Sequence, residues 1–158
     1  MTHANLPIRD LLPIMAQECP DFAGIKYTDE NLCEFQRCVD YSDRFQIMFG
    51  RDEMLLASLA AGAEAGVGST YNYFPRLYRE LLKAYEAGDI ERARSFQELT
   101  HRGIVLIGRY GMSSQKLYMK FAGLDVGPMR LPAPRLPLER ELVFRRDIAE
   151  AGLDPWLG

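Results

Sequence analysis

The chain has 158 residues, of which 47% are hydrophobic and 26% charged, and its formal net charge at pH 7 is −3. These values are typical of one soluble globular domain, and the absence of a basic stripe argues against a nucleic-acid-binding protein. No apolar run approaches the length of a transmembrane helix, and the N-terminus has no apolar signal region. We therefore expect a cytoplasmic protein without a membrane partner.

Cysteine and histidine give no sign of a metal site. The three cysteines, Cys19, Cys33 and Cys38, form an odd set without C-x-x-C spacing, so we expect reduced thiols rather than a disulfide framework or a zinc site. His3 and His101 lie far apart, and no cluster of possible ligands surrounds either of them.

The chain begins with a predicted helix and a predicted strand. The helix extends from Pro7 to about Glu18 with Asn5 as its cap, and Pro13 predicts a kink or a break within it. Pro20 ends this segment. The following FAGIK, which ends at Lys26, is apolar on both faces and is the first strand candidate.

Helix and strand then continue to alternate. A second helix is expected after Asn31, with one apolar stripe of Leu32, Phe35, Cys38 and Val39. The run FQIMF, residues 45–49, is the second strand candidate and is halted by Gly50. Residues 54–66, MLLASLAAGAEAG, predict a third helix, and Val67–Tyr71 is the third strand candidate. The next helix has Pro75 in its first turn and ends at Gly88. This alternation is typical of βα units with a parallel sheet.

The remaining segments predict helices and one extended strap. Asp89 is expected to cap a long helix, on which Ile90, Ala93, Phe96, Ile104 and Ile107 share one face. Ser113 or Ser114 starts a further helix, Gly127–Pro137 is an extended proline-rich strap, and residues 138–152 form a final helix.

Polar residues gather where the three predicted strands end. Ligands of parallel βα folds bind beyond the carboxyl ends of the strands, so these side chains could converge on one small molecule. They are Lys26, Tyr27 and Thr28 after the first strand, Gly50, Asp52 and Glu53 after the second, and Gly68, Ser69, Thr70 and Asn72 after the third. Each residue alone also fits a simpler role, as a solvated lysine, a carboxylate at a helix N-terminus or a capping hydroxyl.

Three segments that contain these residues resemble a known family. GIKYTDENL, FGRDEMLLASLAAGA and GVGSTYNYFP are similar to the last three strand ends of the N-acetylneuraminate lyase and dihydrodipicolinate synthase family. Its members are (β/α)₈-barrel class I aldolases that form a Schiff base between a lysine and a 2-oxo acid. The likeness covers nearly the whole chain. The pattern Gly50-x-Asp52-Glu53, together with GSTYN at residues 68–72, resembles the N-acetylneuraminate lyase branch in particular.

The resemblance implies an α/β fold that is part of a TIM barrel. Residues 1–88 would be the three C-terminal βα units of the barrel, and residues 89–158 would be a C-terminal helical extension that packs on it. A full barrel has eight strands and about 250 residues, so the chain resembles the C-terminal portion of a lyase, begun at an internal methionine.

The resemblance also implies roles for particular residues. Lys26 would attack the ketone of the substrate, for which its amine must be neutral, and burial in a barrel mouth favours that form. The polyhydroxylated chain of the sugar acid would be held by Thr28, Gly50, Asp52, Glu53 and Ser69. The implied reaction is reversible cleavage of N-acetylneuraminate to pyruvate and N-acetylmannosamine, without a metal or external cofactor, in a homotetramer.

Two catalytic parts of the family have no counterpart in this chain. The loop that grips the substrate carboxylate belongs to the second strand of the barrel, and the proton-shuttling tyrosine belongs to the fifth, whereas Tyr27 and Tyr71 match other positions. Three strands also leave two unpaired edges and an open inner face. We therefore expect the chain alone to have little or no lyase activity.

Two alternatives remain open from the sequence. One keeps the Schiff base but changes the aldehyde, as in a dihydrodipicolinate synthase-like or other 2-oxo sugar-acid aldolase. The other is a non-catalytic half-barrel that acts as an assembly or regulatory module by pairing with intact subunits.

Overall fold

A computed structural model describes residues 7–158, so the predicted cap Asn5 and His3 lie outside the described residues. The chain divides into two compact units, Met1–Val67 and Gly68–Gly158. The predicted boundary at residue 88, between barrel units and helical extension, stays a prediction. Within the described part of the chain, no helix combines the length and hydrophobicity needed to cross a bilayer.

The first unit alternates helices with short parallel strands. Its strands form one sheet in the order β1-β2-β3, and both pairings are parallel, which confirms the predicted three-stranded parallel sheet. A 3₁₀ turn at Asp52–Met54 precedes the third helix. In chain order the elements are α1 (Ile8–Glu18), β1 (Gly24–Tyr27), α2 (Leu32–Val39), β2 (Gln46–Phe49), α3 (Leu55–Ala60) and β3 (Ala65–Gly66).

One face of this sheet is packed and the other is open. Side chains alternate along a strand, and the register pairs Tyr27 with Phe49 on one face and Lys26 with Met48 on the other. Tyr27 and Phe49 are buried, whereas Lys26 is exposed and Met48 is half-buried. The apolar core of the unit therefore lies on the Tyr27 side of the sheet.

Helix α2 contributes the centre of that core, as its predicted stripe indicates. Phe35 and Cys38 are fully buried, and the Phe35 ring meets Phe49 edge-to-face with 4.9 Å between centroids. Burial raises the pKa of the Cys38 thiol to about 11, so this cysteine is a packing residue rather than a reactive one. The buried core residues are Leu12, Tyr27, Phe35, Cys38, Phe45, Ile47, Phe49 and Ala63.

Helix α1 runs through Pro13 without a break, and the expected alternative, a kink, stays a prediction. The ring is exposed, so it disturbs no packing, while the neighbouring Leu12 is fully buried and holds the helix against the core. The first turn gains an unforeseen partner, because the Ile8 N–H donates to Glu34 Oε1 over 2.7 Å. One lost backbone bond at a proline is offset by these contacts.

The third helix and third strand differ from their predicted ranges. Helix α3 ends at Ala60, and Gly62 follows with a φ of 95°, a conformation that favours glycine. The strand is Ala65–Gly66 rather than residues 67–71, although the Val67 N–H still donates to the Phe49 carbonyl over 2.8 Å. The alanine-rich sequence predicted that the helix would extend to residue 66. Residues 65 and 66 instead pair with β2 and form part of the sheet.

The second unit is helical. Its first helix starts at Pro75, as predicted, and a second one starts after the predicted cap Asp89, whose side chain accepts from the Arg92 N–H over 3.1 Å. In chain order the unit contains a 3₁₀ turn (Thr70–Asn72), α4 (Pro75–Glu86), α5 (Ile90–Tyr110), α6 (Ser114–Phe121), α7 (Leu138–Glu150) and a 3₁₀ turn (Asp154–Trp156). The proline-rich strap between α6 and α7 has no helix or strand, as expected.

The core of the second unit is built from aromatic rings. Tyr73 stacks on Tyr118 with 4.7 Å between centroids, and Phe144 meets Tyr118 edge-to-face at 4.9 Å. The Tyr118 hydroxyl donates to the Gly103 carbonyl over 3.0 Å. Because this phenol is completely enclosed, burial raises its pKa.

The buried face of α5 coincides only in part with the face that Ile90, Ala93, Phe96, Ile104 and Ile107 share. Ala93 is buried and Phe96, Ile104 and Ile107 are half-buried, but Ile90 is 42% exposed. The polar pair Gln97 and Thr100 is buried instead, and Gln97 Nε2 donates to Thr100 Oγ1 over 2.7 Å. The buried residues of α5 are Ala93, Gln97, Thr100, Gly103, Leu106 and Tyr110. Polar side chains that satisfy each other can enter a core at little cost, and a periodicity of apolar residues misses them.

Asp147 on α7 is expected to make the stability of the second unit depend on pH. Its Oδ2 accepts from the Tyr110 hydroxyl over 2.7 Å and from Arg109 over 3.1 Å. The Tyr110 hydrogen bond, followed by Arg109, holds the pKa of this carboxyl below its ordinary value. A depressed folded-state pKa adds stability above the unfolded-state value of about 3.9, and this stability is lost as pH falls through the folded-state pKa.

We therefore expect Asp147→Asn to lower the free energy of unfolding near neutral pH, and the difference from the parent chain to vanish in acid. Urea unfolding, followed by fluorescence of Trp156 in this unit, measures the difference at each pH. Glu98→Gln, which removes a carboxylate from an exposed ion pair with Arg102, is the control and should have little effect. A difference that persists unchanged into acid would contradict the assignment.

Candidate functional site

The candidate site is built on Lys26, at the carboxyl end of β1. The strand register sets Lys26 beside Met48 of β2, which itself pairs with Ala65 of β3. Since these residues lie opposite the packed face, the lysine side chain stands on the open face of the sheet and is exposed. A chain that buries Tyr27 in its core must therefore present Lys26 on the other side.

Gly50 lies against both Lys26 and Thr28. Its N–H donates to the Tyr27 carbonyl over 2.7 Å, which draws the end of β2 close to the end of β1. A Cβ atom at Gly50 would lie 2.9 Å from Lys26 Cε and 2.9 Å from the Tyr27 carbonyl oxygen, and closer still to Thr28 Oγ1. The structure thus brings three predicted site residues together, and it can do so because residue 50 has no side chain.

The loop after β1 is held in a defined conformation. The Tyr27 hydroxyl donates to the Asn31 carbonyl over 2.8 Å, and the Asn31 side chain caps α2 by accepting from the Glu34 N–H over 3.1 Å. Asp29 Oδ1 accepts from the Asn31 N–H over 2.9 Å. Burial, and then the nearby Glu34 carboxylate, raises the pKa of Tyr27. Tyr27 therefore stays neutral and positions the loop that contains Thr28.

Asp52 and Glu53 follow directly in the 3₁₀ turn after β2. Asp52 is buried and Glu53 is half-buried, so neither is a freely solvated surface carboxylate. Glu53 Oε1 accepts from Arg51 Nη1 over 3.0 Å. This pairing orients the Glu53 carboxylate.

Arg51 is the residue that sequence reasoning missed. Its guanidinium contacts Glu53 and also reaches Glu30 Oε1 over 3.2 Å, so it joins the loop after β2 to the loop after β1. The hydrogen bond to Glu53 is the main cause that raises the pKa of Arg51. The spacing Arg-x-Glu directly after a strand end was the available signal, but only the fold shows that Glu30 is the second partner.

Ser69 belongs to the second unit, so its contribution to the same site stays a prediction. It is exposed, and its carbonyl accepts from Asn72 Nδ2 over 3.0 Å. The neighbouring Thr70 is buried, with Oγ1 2.5 Å from the Tyr78 hydroxyl. Of these two hydroxyls, Ser69 is the one on the surface. Within residues 7–158, no group of three histidine, cysteine, aspartate or glutamate residues is arranged to hold a metal ion.

Comparison with known proteins identifies the family. The profile of the Dihydrodipicolinate synthetase family matches residues 1–151. The N-acetylneuraminate lyase of Mus musculus is 37% identical over 145 residues, which are 89% of this chain and 44% of that protein. Among solved structures, the N-acetylneuraminate lyase of Proteus mirabilis has a TM-score of 0.88 at 31% identity, over 94% of this chain and 51% of that one. The N-acetylneuraminate lyase of Aliivibrio salmonicida has a TM-score of 0.90 at 29% identity, over 96% of this chain and 51% of that one.

These matches confirm the predicted fold class. The chain spans about half the length of the relatives it matches, with 44% of the mouse protein covered, and it matches their C-terminal part. Its parallel βα units and following helices are therefore a portion of a (β/α)₈ TIM barrel. The chain belongs to the dihydrodipicolinate synthetase family.

Proposed function

We propose that this chain supplies the imine-forming lysine and the sugar-binding strand ends of an N-acetylneuraminate lyase-type class I aldolase. One observation carries the proposal: the Lys26 side chain stands on the open sheet face with Thr28 and the bare backbone of Gly50 directly beside it. The amine is therefore accessible to a 2-oxo acid from solvent.

The chemistry assigned to Lys26 is nucleophilic catalysis. Its neutral amine attacks the ketone carbon of the substrate, and loss of water from the carbinolamine gives an iminium. The hydroxyl on the β-carbon then gives its proton to a base of the completed barrel, and the bond between the α- and β-carbons breaks. The iminium accepts the electron pair of that bond and becomes an enamine, while N-acetylmannosamine leaves as the aldehyde. The pyruvate enamine left on the lysine is protonated, and hydrolysis frees pyruvate and the amine. No metal or external cofactor takes part in this scheme.

The neighbouring polar groups are suited to a polyhydroxylated chain. Carboxylate oxygens of Asp52 and Glu53 accept hydrogen bonds from vicinal alcohols, and a hydroxyl such as that of Thr28 both donates and accepts. In this proposal Arg51 keeps the Glu53 carboxylate in place. Gly50 leaves room for the substrate. The family resemblance assigns Ser69 to the polyhydroxylated part of the sugar acid.

We further propose that the chain alone does not turn over. β1 and β3 each have one strand partner among the described residues, and the face that presents Lys26 is open to water. An aldolase site excludes water around the reacting carbons. The family's proton-shuttling tyrosine and its carboxylate-binding loop also have no counterpart in this sequence.

Trapping with borohydride tests both statements. The chain would be joined to the N-terminal half of the Proteus mirabilis lyase, which supplies the strands that this chain does not match, and incubated with pyruvate and borohydride. We expect a reduced pyruvate adduct on Lys26, located by peptide mass mapping, and cleavage of N-acetylneuraminate by the completed barrel. The chain alone, treated in the same way, should give neither.

The outcomes separate the two claims. A completed, folded barrel without an adduct on Lys26 would overturn the imine assignment. Efficient adduct formation with turnover by the chain alone would overturn the claim of inactivity. A panel of 2-oxo sugar acids and aldehydes on the completed barrel, repeated with Asp52→Asn and Ser69→Ala, distinguishes the N-acetylneuraminate lyase type from dihydrodipicolinate synthase-like and other aldolases.

The open sheet edges also suit a non-catalytic half-barrel. Unpaired parallel strands pair readily with another chain, so such a module would associate with an intact lyase subunit. Co-purification with a full-length lyase, without any adduct on Lys26, would favour this second candidate over the catalytic one.

A further inference from the structure

We propose that a cavity between α6 and the proline-rich strap binds a small organic anion. The cavity lies wholly in the second unit and has a volume of about 240 Å³. Lys116 and Lys120 from α6 and Arg135 from the strap line it, together with the carboxylates of Asp125 and Glu141. None of these residues belongs to the candidate aldolase site, so this proposal does not depend on the proposed function.

The charges around the cavity are not balanced. Glu141 approaches Lys120 to 4.0 Å, and Asp125 Oδ1 accepts from the Gly127 N–H over 2.9 Å. In residues 7–158, Lys116 and Arg135 have no carboxylate partner, although other arginines of the unit do. Lys116 is also half-buried. Three basic and two acidic side chains line the cavity, so its charge is net positive and favours a ligand that carries negative charge.

The apolar lining and the volume of the cavity indicate which ligands fit it. Leu117 is buried, and Met129 and Leu136 are half-buried, so part of the lining is apolar. The volume of about 240 Å³ is below the range of roughly 300–1,000 Å³ typical of drug-sized ligands. The cavity therefore suits a short hydrocarbon skeleton with an anionic head group, either carboxylate or phosphate.

The walls are held in place before any ligand arrives. The Ser113 hydroxyl, just ahead of α6, donates to the Pro134 carbonyl of the strap, and Asp125 closes a tight turn onto Gly127. The strap contains four prolines, at positions 128, 132, 134 and 137, which limit its conformational freedom. A preformed cavity loses little entropy on binding, so a small anion can bind measurably.

Calorimetric titration of the chain at constant ionic strength tests the proposal. Malonate and inorganic phosphate are the probes, and uncharged glycerol is the blank. We expect saturable binding of at least one dianion, and the stronger of the two identifies the head group as carboxylate or phosphate. The double variant Lys116→Met/Arg135→Gln should weaken this binding roughly tenfold or more, since it removes two charge-assisted contacts.

A matched double variant separates a defined site from general electrostatics. Lys83→Met/Arg130→Gln removes the same two charges from the same unit, and Arg130 lies in the same strap, but neither residue lines the cavity. Its affinity should equal that of the parent chain. Lys116→Arg/Arg135→Lys keeps both charges and should retain binding, which guards against loss through misfolding. No saturable binding by the parent chain, or an equal loss in both charge-removing variants, would overturn the proposal.

Discussion

Gly50→Ala is expected to slow borohydride trapping of pyruvate on Lys26 roughly 100-fold in the completed barrel, because small displacements of a reacting group have effects of this size. The added Cβ would lie 2.9 Å from Lys26 Cε and 2.9 Å from the Tyr27 carbonyl oxygen. The Tyr27 oxygen cannot retreat, since it already accepts the Gly50 N–H over 2.7 Å. The side chains of Lys26 and Thr28 must move instead, and the amine leaves its place beside the substrate.

Gly24→Ala is the control that separates misplacement from loss of stability. It lies at the other end of the same strand pair, where a Cβ would come within 2.8 Å of the Gln46 backbone nitrogen and carbon and closer to its oxygen. We expect this variant to destabilise the first unit at least as much as Gly50→Ala. Trapping per folded molecule, with the folded fraction measured by circular dichroism, should nevertheless stay near the parent rate. A Gly50→Ala rate within a few-fold of the parent would contradict the assigned role of Gly50.

Two glycines of α5 are expected to respond to alanine with opposite signs. At Gly103 a Cβ would lie 2.6 Å from Phe74 Cε2 and 3.1 Å from its Cζ. Phe74 is fully buried, and its ring meets both Tyr73 and Tyr118 edge-to-face. The ring therefore cannot move aside. Overpacking of this kind costs about 1–3 kcal/mol, and Gly103→Ala should lower the free energy of unfolding by that amount.

Gly108 in the same helix is exposed, and nothing lies within 4 Å of the Cβ position. Alanine there should raise the free energy of unfolding by about 0.5–1 kcal/mol, because glycine loses more backbone entropy in a helix. Urea titrations followed by Trp156 fluorescence measure both variants in one unit. Equal shifts at the two positions would show that helix propensity, rather than contact with Phe74, governs α5.

Much of the local structure follows from short-range patterns. The cap Asp89 was placed correctly from its residue type, because a side-chain acceptor near free backbone N–H groups acts within three residues. The apolar stripe of α2 was also correct, since Phe35 and Cys38 repeat at helical spacing. Lys26 was chosen as the candidate nucleophile because it ends an apolar strand within the family pattern, and its catalytic role stays a prediction.

The failures depend on contacts between particular atoms. Residues 65 and 66 form β3 because they pair with β2. Helix propensity depends on neighbouring residues and does not show this pairing. The buried face of α5 includes Gln97 and Thr100, which hydrogen-bond to each other, and Gly103, which lies against Phe74. These are contacts between particular atoms, whereas periodicity reports only which residues are apolar.

The sequence by itself determined the kind of elements, their order and the family pattern around Lys26, because these depend on residue type and spacing along the chain. Only the tertiary structure decided that Gly50 touches Lys26 and Thr28, and that Arg51 joins Glu53 to Glu30. Such contacts arise when strand pairing brings distant residues within a few ångströms. Their energies therefore depend on the register of the sheet rather than on the residues adjacent in sequence.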